Sequence, residues 1–215
     1  MRISELSRET GVPIATIKFY LRERLLPPGR STGRNQAQYG SEHCRRLRLI
    51  RALTNIGQLD LSTVRTLIDV IEDDQIPLLD LYQAVDRILF TGGPVTEDNR
   101  DTSDTDAHVD AFIATLGWRI SADAPGLSRL VQVLDALKQL GCESGTDILT
   151  PYAEAAERLA ISELDLLSFD GDSSNRGPVV ARAVLLNEAL AAMRQLAREH
   201  HVGHRFGYSP PAPRP

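Results

Sequence analysis

Residues 1–30 read MRISELSRETGVPIATIKFYLRERLLPPGR, and the organisation of this stretch decides the fold. Ser4 is placed to cap a short helix with Leu6 facing inward, and Gly11 ends it. Val12-Pro13 opens a second helix, since proline is tolerated at a helix entry. Along it Ile14, Ile17, Leu21 and Leu25 fall at helical spacing and form one apolar stripe. Thr16, Lys18, Phe19, Tyr20, Arg22 and Arg24 are left to the other faces. Two short helices about a glycine-containing turn, the second carrying hydroxyl, cationic and aromatic groups outward, make a helix-turn-helix. In that layout Lys18 and Thr16 meet bases or phosphates in the major groove, while Tyr20 and Arg22 suit the backbone.

Working outward, Leu26-Pro27-Pro28-Gly29 closes the second helix and leads into Arg30-Ser31-Thr32-Gly33-Arg34-Asn35-Gln36-Ala37-Gln38-Tyr39. A basic loop of this length predicts a small β-hairpin wing, with Gly33 and Asn35 able to take positive φ at its tip. Arg30 and Arg34 then lie near phosphates and give salt-dependent affinity. Ser41 is placed to cap a third helix with Glu42 in its first turn. Cys44, Leu47, Ile50 and Leu53 line its inner face, and Gly57 stops it. Cys44 reads as a small core residue rather than a ligand. Asp60 caps a fourth helix striped by Val64, Leu67, Ile68 and Ile71.

Charge supports this division. The chain is −5 overall, yet residues 1–70 hold 12 Lys and Arg against 6 Asp and Glu. Residues 71–215 carry the other 12 basic residues against 23 acidic ones. A basic head joined to an acidic remainder fits a DNA-binding module with a separate sensor or partner domain.

The string Ile3-Ser4-Glu5-Leu6 … Gly11-Val12 … Thr16-Ile17-Lys18-Phe19-Tyr20 … Leu25-Leu26-Pro27 … Tyr39 … Leu47 … Ile50-Arg51-Ala52-Leu53 … Gly57 resembles the DNA-binding domain of the MerR family. The resemblance covers residues 1 to about 72 and is carried by the order and spacing of the whole string. It implies a dimer on a near-palindromic operator in double-stranded promoter DNA, bending and untwisting it so that RNA polymerase engages both promoter elements. The candidate DNA contacts are Ser4, Thr16, Lys18, Phe19, Tyr20, Arg22, Arg30, Arg34, Tyr39 and Arg45. The wing departs from the family's Gly-Tyr-Arg-x-Tyr pattern, reading Asn35-Gln36-Ala37-Gln38-Tyr39, so the usual arginine is Ala37 and Arg34 is the neighbouring charge.

The expected fold is mainly α: a winged helix-turn-helix over 1–72 followed by an all-helical C-terminal bundle. Residues 73–91 predict a short linking or dimerisation helix with Leu78, Tyr82, Val85 and Leu89 in one seam. Family members make an antiparallel coiled coil from a long helix here, but Gly92-Gly93-Pro94 cuts this one short. An acidic linker is expected over 92–107, a helical effector or dimerisation domain over 108–205, and a disordered tail over 206–215. Phe112, Trp118, Tyr152 and Phe169 are candidates to line a pocket for an apolar small-molecule effector, with core packing as the competing role. The alanine-rich last helices equally suit a homodimer interface.

Two distant cysteines, Cys44 and Cys142, exclude a cysteine zinc knuckle and argue against a disulfide scaffold. His200, His201 and His204 lack further ligands nearby, so neither metal nor other cofactor is expected. No phosphate loop, nucleophile elbow or spaced metal pair points to an enzyme. No membrane segment or signal peptide is visible, and the chain reads as cytoplasmic and bacterial. The reading is a ligand-responsive transcription regulator; the alternatives are a helical small-molecule-sequestering protein and a ligand-independent architectural DNA-binding protein.

Overall fold

A computed structural model describes residues 1–33, 36–91, 103–142, 145–166 and 176–207. The head begins with α1 (Ile3–Thr10) and α2 (Ile14–Arg22), followed by strands β1 (Arg30–Gly33) and β2 (Gln36–Gln38). The strands pair antiparallel, Arg30 opposite Gln38 and Ser31 opposite Ala37, and form the expected wing. Asn35 and Arg34 lie outside the described residues. Then come α3 (Ser41–Arg51) and α4 (Leu61–Glu72). Their shared core is made by fully enclosed Leu6, Ile17, Leu25, Leu47, Ile50, Leu53, Val64 and Leu67. Cys44 belongs to that core, and burial pushes its thiol up, which makes it an unreactive packing residue.

Several local details differ from the sequence expectation. Helix α1 starts one residue ahead of Ser4, and the Glu5 carboxylate reaches back 2.7 Å to accept the Arg2 N–H. In α3 the residue before the helix is Gly40, not Ser41, and His43 Nδ1 accepts the Gly40 N–H at 3.0 Å. In α2 the buried residues are Ile17 and Tyr20; Ile14 is 38% exposed and Leu21 half-buried. Helix α2 ends at Arg22, before the stripe reaches Leu25. Arg24 then takes a left-handed conformation (φ 59°) that turns Leu25 and Leu26 into the core. Gly11 (φ 66°) and the Asp60 cap, which accepts from the Ser62 and Thr63 N–H groups, are as expected.

Helix α3 runs into one wide turn, Ala52–Ile56, in which the Gly57 N–H bonds the Ala52 carbonyl five residues back. Such π turns bulge the backbone locally. What the bulge meets is the last helix, α9 (Arg176–Phe206), 31 residues and about 46 Å long. Val179, Val180, Ala183 and Val184 bury its first turns against the head. Arg176, itself 7% exposed, donates to the carbonyls of Val70 (3.2 Å), Ile71 (2.8 Å) and Asp73 (2.9 Å). A guanidinium at the C-terminal end of α4 satisfies its orphan carbonyls and complements the helix dipole.

The chain thus divides into two compact units, Met1–Asp74 with Ser173–Pro215, and Gln75–Asp172. The sequence suggested a head followed by a linear succession of elements. Instead the second unit is inserted between α4 and a helix that returns to the head.

The inserted unit contains α5 (Leu78–Thr91), α6 (Ser103–Leu116), α7 (Pro125–Gln139) and α8 (Thr150–Asp165). Helix α6 starts inside the stretch read as acidic linker, with Asp104 and Asp106 in its first turn favouring the positive helix end. Residues 92–102 lie outside the described residues. Val109, Ile113, Val131 and Leu134 form the unit's core. In α5 Leu81 and Val85 are enclosed, and Tyr82 and Leu89 are half-buried, so the inward face overlaps the expected seam and adds Leu81 to it.

Candidate nucleic-acid interface

The turn between α1 and α2 is fixed from three sides. Ser7 Oγ donates to the Val12 carbonyl at 2.6 Å, and Thr10 Oγ1 donates to the Leu6 carbonyl at 2.7 Å. From α3, Arg51 donates to the Thr10 carbonyl at 2.9 Å, so the third helix holds the end of the first. Buried Leu6, Val12 and Ile17 complete a rigid mount for α2.

On the outer surface of α2, Lys18 is exposed, and Thr16 and Phe19 are half-buried. The Arg22 guanidinium lies 5.3 Å from the Phe19 ring centroid, which orients it by cation–π attraction, and its Nε–H faces the Glu23 carboxylate at 3.5 Å while the side chain stays 71% exposed. Ser4 is exposed on α1 and Arg30 is exposed at the base of the wing. These groups supply what phosphate and base-edge recognition requires: long cationic side chains and hydroxyls on a turn held by hydrogen bonds.

The remaining candidates sort differently. Tyr20 and Tyr39 are each 8% exposed and support the surface from beneath. Tyr39 and Met1 exchange two backbone hydrogen bonds of 2.9 Å, which anchor the wing to the start of the chain. The Tyr39 ring stands edge-on to His43 at 5.1 Å, tying the wing to α3. Arg45 is exposed on α3, where it lines a cleft described below. Arg34 falls outside the described residues.

Sequence reasoning passed over Arg46 and Arg65, which govern how α2 is left. Arg46 Nε donates to the Leu25 carbonyl at 2.7 Å and its guanidinium pairs with Glu72. Arg65 donates to the Glu23 carbonyl at 2.9 Å. Both are arginines on amphipathic helices, and nothing in their spacing marks a partner more than twenty residues away.

The aromatic set of the inserted unit is dispersed. Phe112 and Trp118 pack against its core, and Trp118 Nε1 donates to Glu157 at 3.3 Å. Tyr152 is 49% exposed on α8, and Phe169 lies outside the described residues. Among the described residues no group of three or more His, Cys, Asp and Glu is placed to hold a metal ion, and no helix is long and apolar enough to cross a membrane.

Comparison with known proteins bears on this surface. Residues 1–70 match the profile of the MerR HTH family regulatory protein. Over 70 residues the chain is 33% identical to the HTH-type transcriptional regulator ZntR homolog of Haemophilus influenzae, covering 33% of this chain and 51% of that protein. The chain thus matches about half the length of that curated relative. The crystal structure of SCO5550 from Streptomyces coelicolor A3(2), assigned as a transcriptional regulator, is similar with a TM-score of 0.69 and 30% identity. That likeness covers 98% of this chain and 100% of SCO5550.

Proposed function

Because the chain belongs to the MerR family of helix-turn-helix regulatory proteins, we propose that it is a dimeric transcription regulator that reads promoter DNA with α2 and the wing. The observation that carries this reading is the set of exposed cations, Lys18, Arg22 and Arg30, displayed on a head whose turn and helix ends are hydrogen-bonded in place. Lys18 sits in the major groove, and Arg22 and Arg30 hold phosphates on either side. Regulation works by bending and untwisting the promoter, so that protein geometry is converted into DNA twist. RNA polymerase responds to that shape, and a small-molecule effector shifts it. This activity places the protein in the cytoplasm with the DNA.

Dimerisation is assigned to α9. Beyond the turns that pack on the head, residues 189–202 are exposed, yet Leu190 (44%), Met193 (65%) and Leu196 (56%) project from them. Leu186, Leu190, Met193 and Ala197 follow the alternating three- and four-residue spacing of a coiled-coil seam. A second copy of the helix is the occupant that fits, since operator recognition needs two heads at fixed separation. This helix then takes the dimerisation role of the family's coiled coil, since α5 spans only 14 residues.

The test is fluorescence anisotropy with duplexes from the region upstream of the protein's own gene, over a range of salt. Lys18→Ala and Arg22→Ala each weaken binding, by about 1–3 kcal/mol for a lost specific contact. Arg22→Ala also reduces the salt slope by about one, and Lys18→Ala relaxes sequence preference. Unchanged binding by both variants places some other surface on the DNA.

A further inference from the structure

Between α3, α4 and the opening turns of α9 lies a cleft of about 620 Å³, a volume suited to a small organic ligand. It lies wholly within the unit formed by the head and the last helix. Leu49, Ala52, Ile68, Ile71, Pro178 and Ala181 supply its apolar lining. Of these only Ile68 is closed off from solvent, so apolar surface stays open among three helices that otherwise pack well.

The charges at its mouth sort by what they already hold. Arg46 is committed to the Leu25 carbonyl and to Glu72, and Glu72 is committed to Arg46. Glu42 lies at the start of α3, where the backbone N–H holds its carboxyl below the usual range. Asp74, one residue beyond the Asp73 carbonyl that Arg176 holds, is exposed and adds a second carboxylate to the lining. Arg48 is 62% exposed and faces Glu9 at 3.7 Å. Arg45 is exposed on the same face, four residues before Leu49 and seven before Ala52. Arg45 and Arg48 thus line the cleft beside its apolar residues and offer fork-shaped donors that match a carboxylate.

We propose that this cleft binds an amphipathic carboxylate, its apolar body on Leu49, Ile71 and Ala181 and its head group on Arg45 and Arg48. A molecule seated there also touches Arg46, whose Nε–H holds the exit of α2, and the first turns of α9. One ligand therefore contacts both the mount of the recognition helix and the helix assigned to dimerisation. The proposal deepens the effector part of the function above and moves the site from the aromatic set of the inserted unit to the head. Binding is measured without DNA, which separates its failure from failure of the DNA-binding reading.

The experiment is isothermal titration calorimetry of the full chain with decanoate, decanol and decyltrimethylammonium, each kept below micelle formation. Decanoate binds saturably at one site per chain. Arg45→Ala, an exposed position that leaves the fold intact by circular dichroism, weakens it about tenfold, the scale of one lost charge-assisted contact. Ala181→Phe, which fills the trough, abolishes it. Should Ala181→Phe unfold, the Arg45→Ala comparison decides. No saturable decanoate binding, equal affinity in wild type and Arg45→Ala, or tighter binding of decyltrimethylammonium each overturns the proposal.

Discussion

Gly57 gives the sharpest test of how the last helix joins the head. Its φ is −70°, a conformation any residue adopts, so Gly57→Ala imposes no backbone strain. At an unconstrained position this substitution stabilises by about 0.4–1 kcal/mol, because alanine has less conformational freedom to lose. Here the new methyl would lie 2.5 Å from Val184 Cγ1 and 2.9 Å from the Leu53 carbonyl oxygen. Normal carbon contacts are about 3.5–4.0 Å. Overpacking of this kind costs about 1–3 kcal/mol, so the sign of the effect inverts. Val184→Ala alone removes two buried methyl groups, about 1.6 kcal/mol by transfer and more with the cavity left behind. In the double variant the added methyl enters the vacated space. Its loss should therefore fall about 1–2 kcal/mol short of the sum, with the Leu53 contact remaining. Urea unfolding followed by circular dichroism, with the slope checked for constancy, reads the cycle. Strict additivity, or a stabilised Gly57→Ala, would refute the packing of α9 against the wide turn.

Three further outcomes follow from the same geometry. Arg176→Met removes three charge-assisted hydrogen bonds to the end of α4 and lowers stability by about 3 kcal/mol or more, seen as a lower melting temperature. Asp123, held at about 2 chiefly by its hydrogen bond from Arg87 at 3.0 Å, and by Ser121, contributes stability that is present above the ordinary carboxylate value of 3.8. That contribution is lost as pH falls through the window from about 4 to 2, so wild type loses more melting temperature there than Arg87→Met does. Met193→Glu places a charge in the assigned coiled-coil seam, and sedimentation should show a monomer where wild type is a dimer, with helix content unchanged.

Most of the head was legible because its signals are local. Gly11, Pro13 and Asp60 each dictate a backbone conformation by their own chemistry, and the wing followed from turn residues between two helical patterns. The caps were harder, since Glu5 and His43 reach back to the Arg2 and Gly40 N–H groups and each helix starts earlier than expected, which leaves Ser4 and Ser41 inside the first turn. Tyr20 is buried and Leu21 half-buried, so both edges of the stripe on α2 are partly covered and spacing alone does not choose between them. The return of α9 was invisible to sequence reading. Periodicity shows that Val180 and Val184 share a face, but not that Val184 meets Gly57, more than a hundred residues earlier. The cleft is built from three segments, around residues 45–52, 68–74 and 177–181, and no window of sequence contains it. Arg45, one of the candidate DNA contacts, also lines that cleft.

The central claim is that α2 and the wing of paired heads read promoter DNA. A hydroxyl-radical footprint on the region upstream of the protein's own gene, with wild type and Lys18→Ala side by side, tests it most directly. Wild type should give two protected half-sites related by a two-fold axis between promoter elements, with enhanced cleavage where the DNA is bent, and the variant should lose both at the same concentration. Uniform cleavage with wild type, or a footprint that Lys18→Ala leaves unchanged, would contradict it.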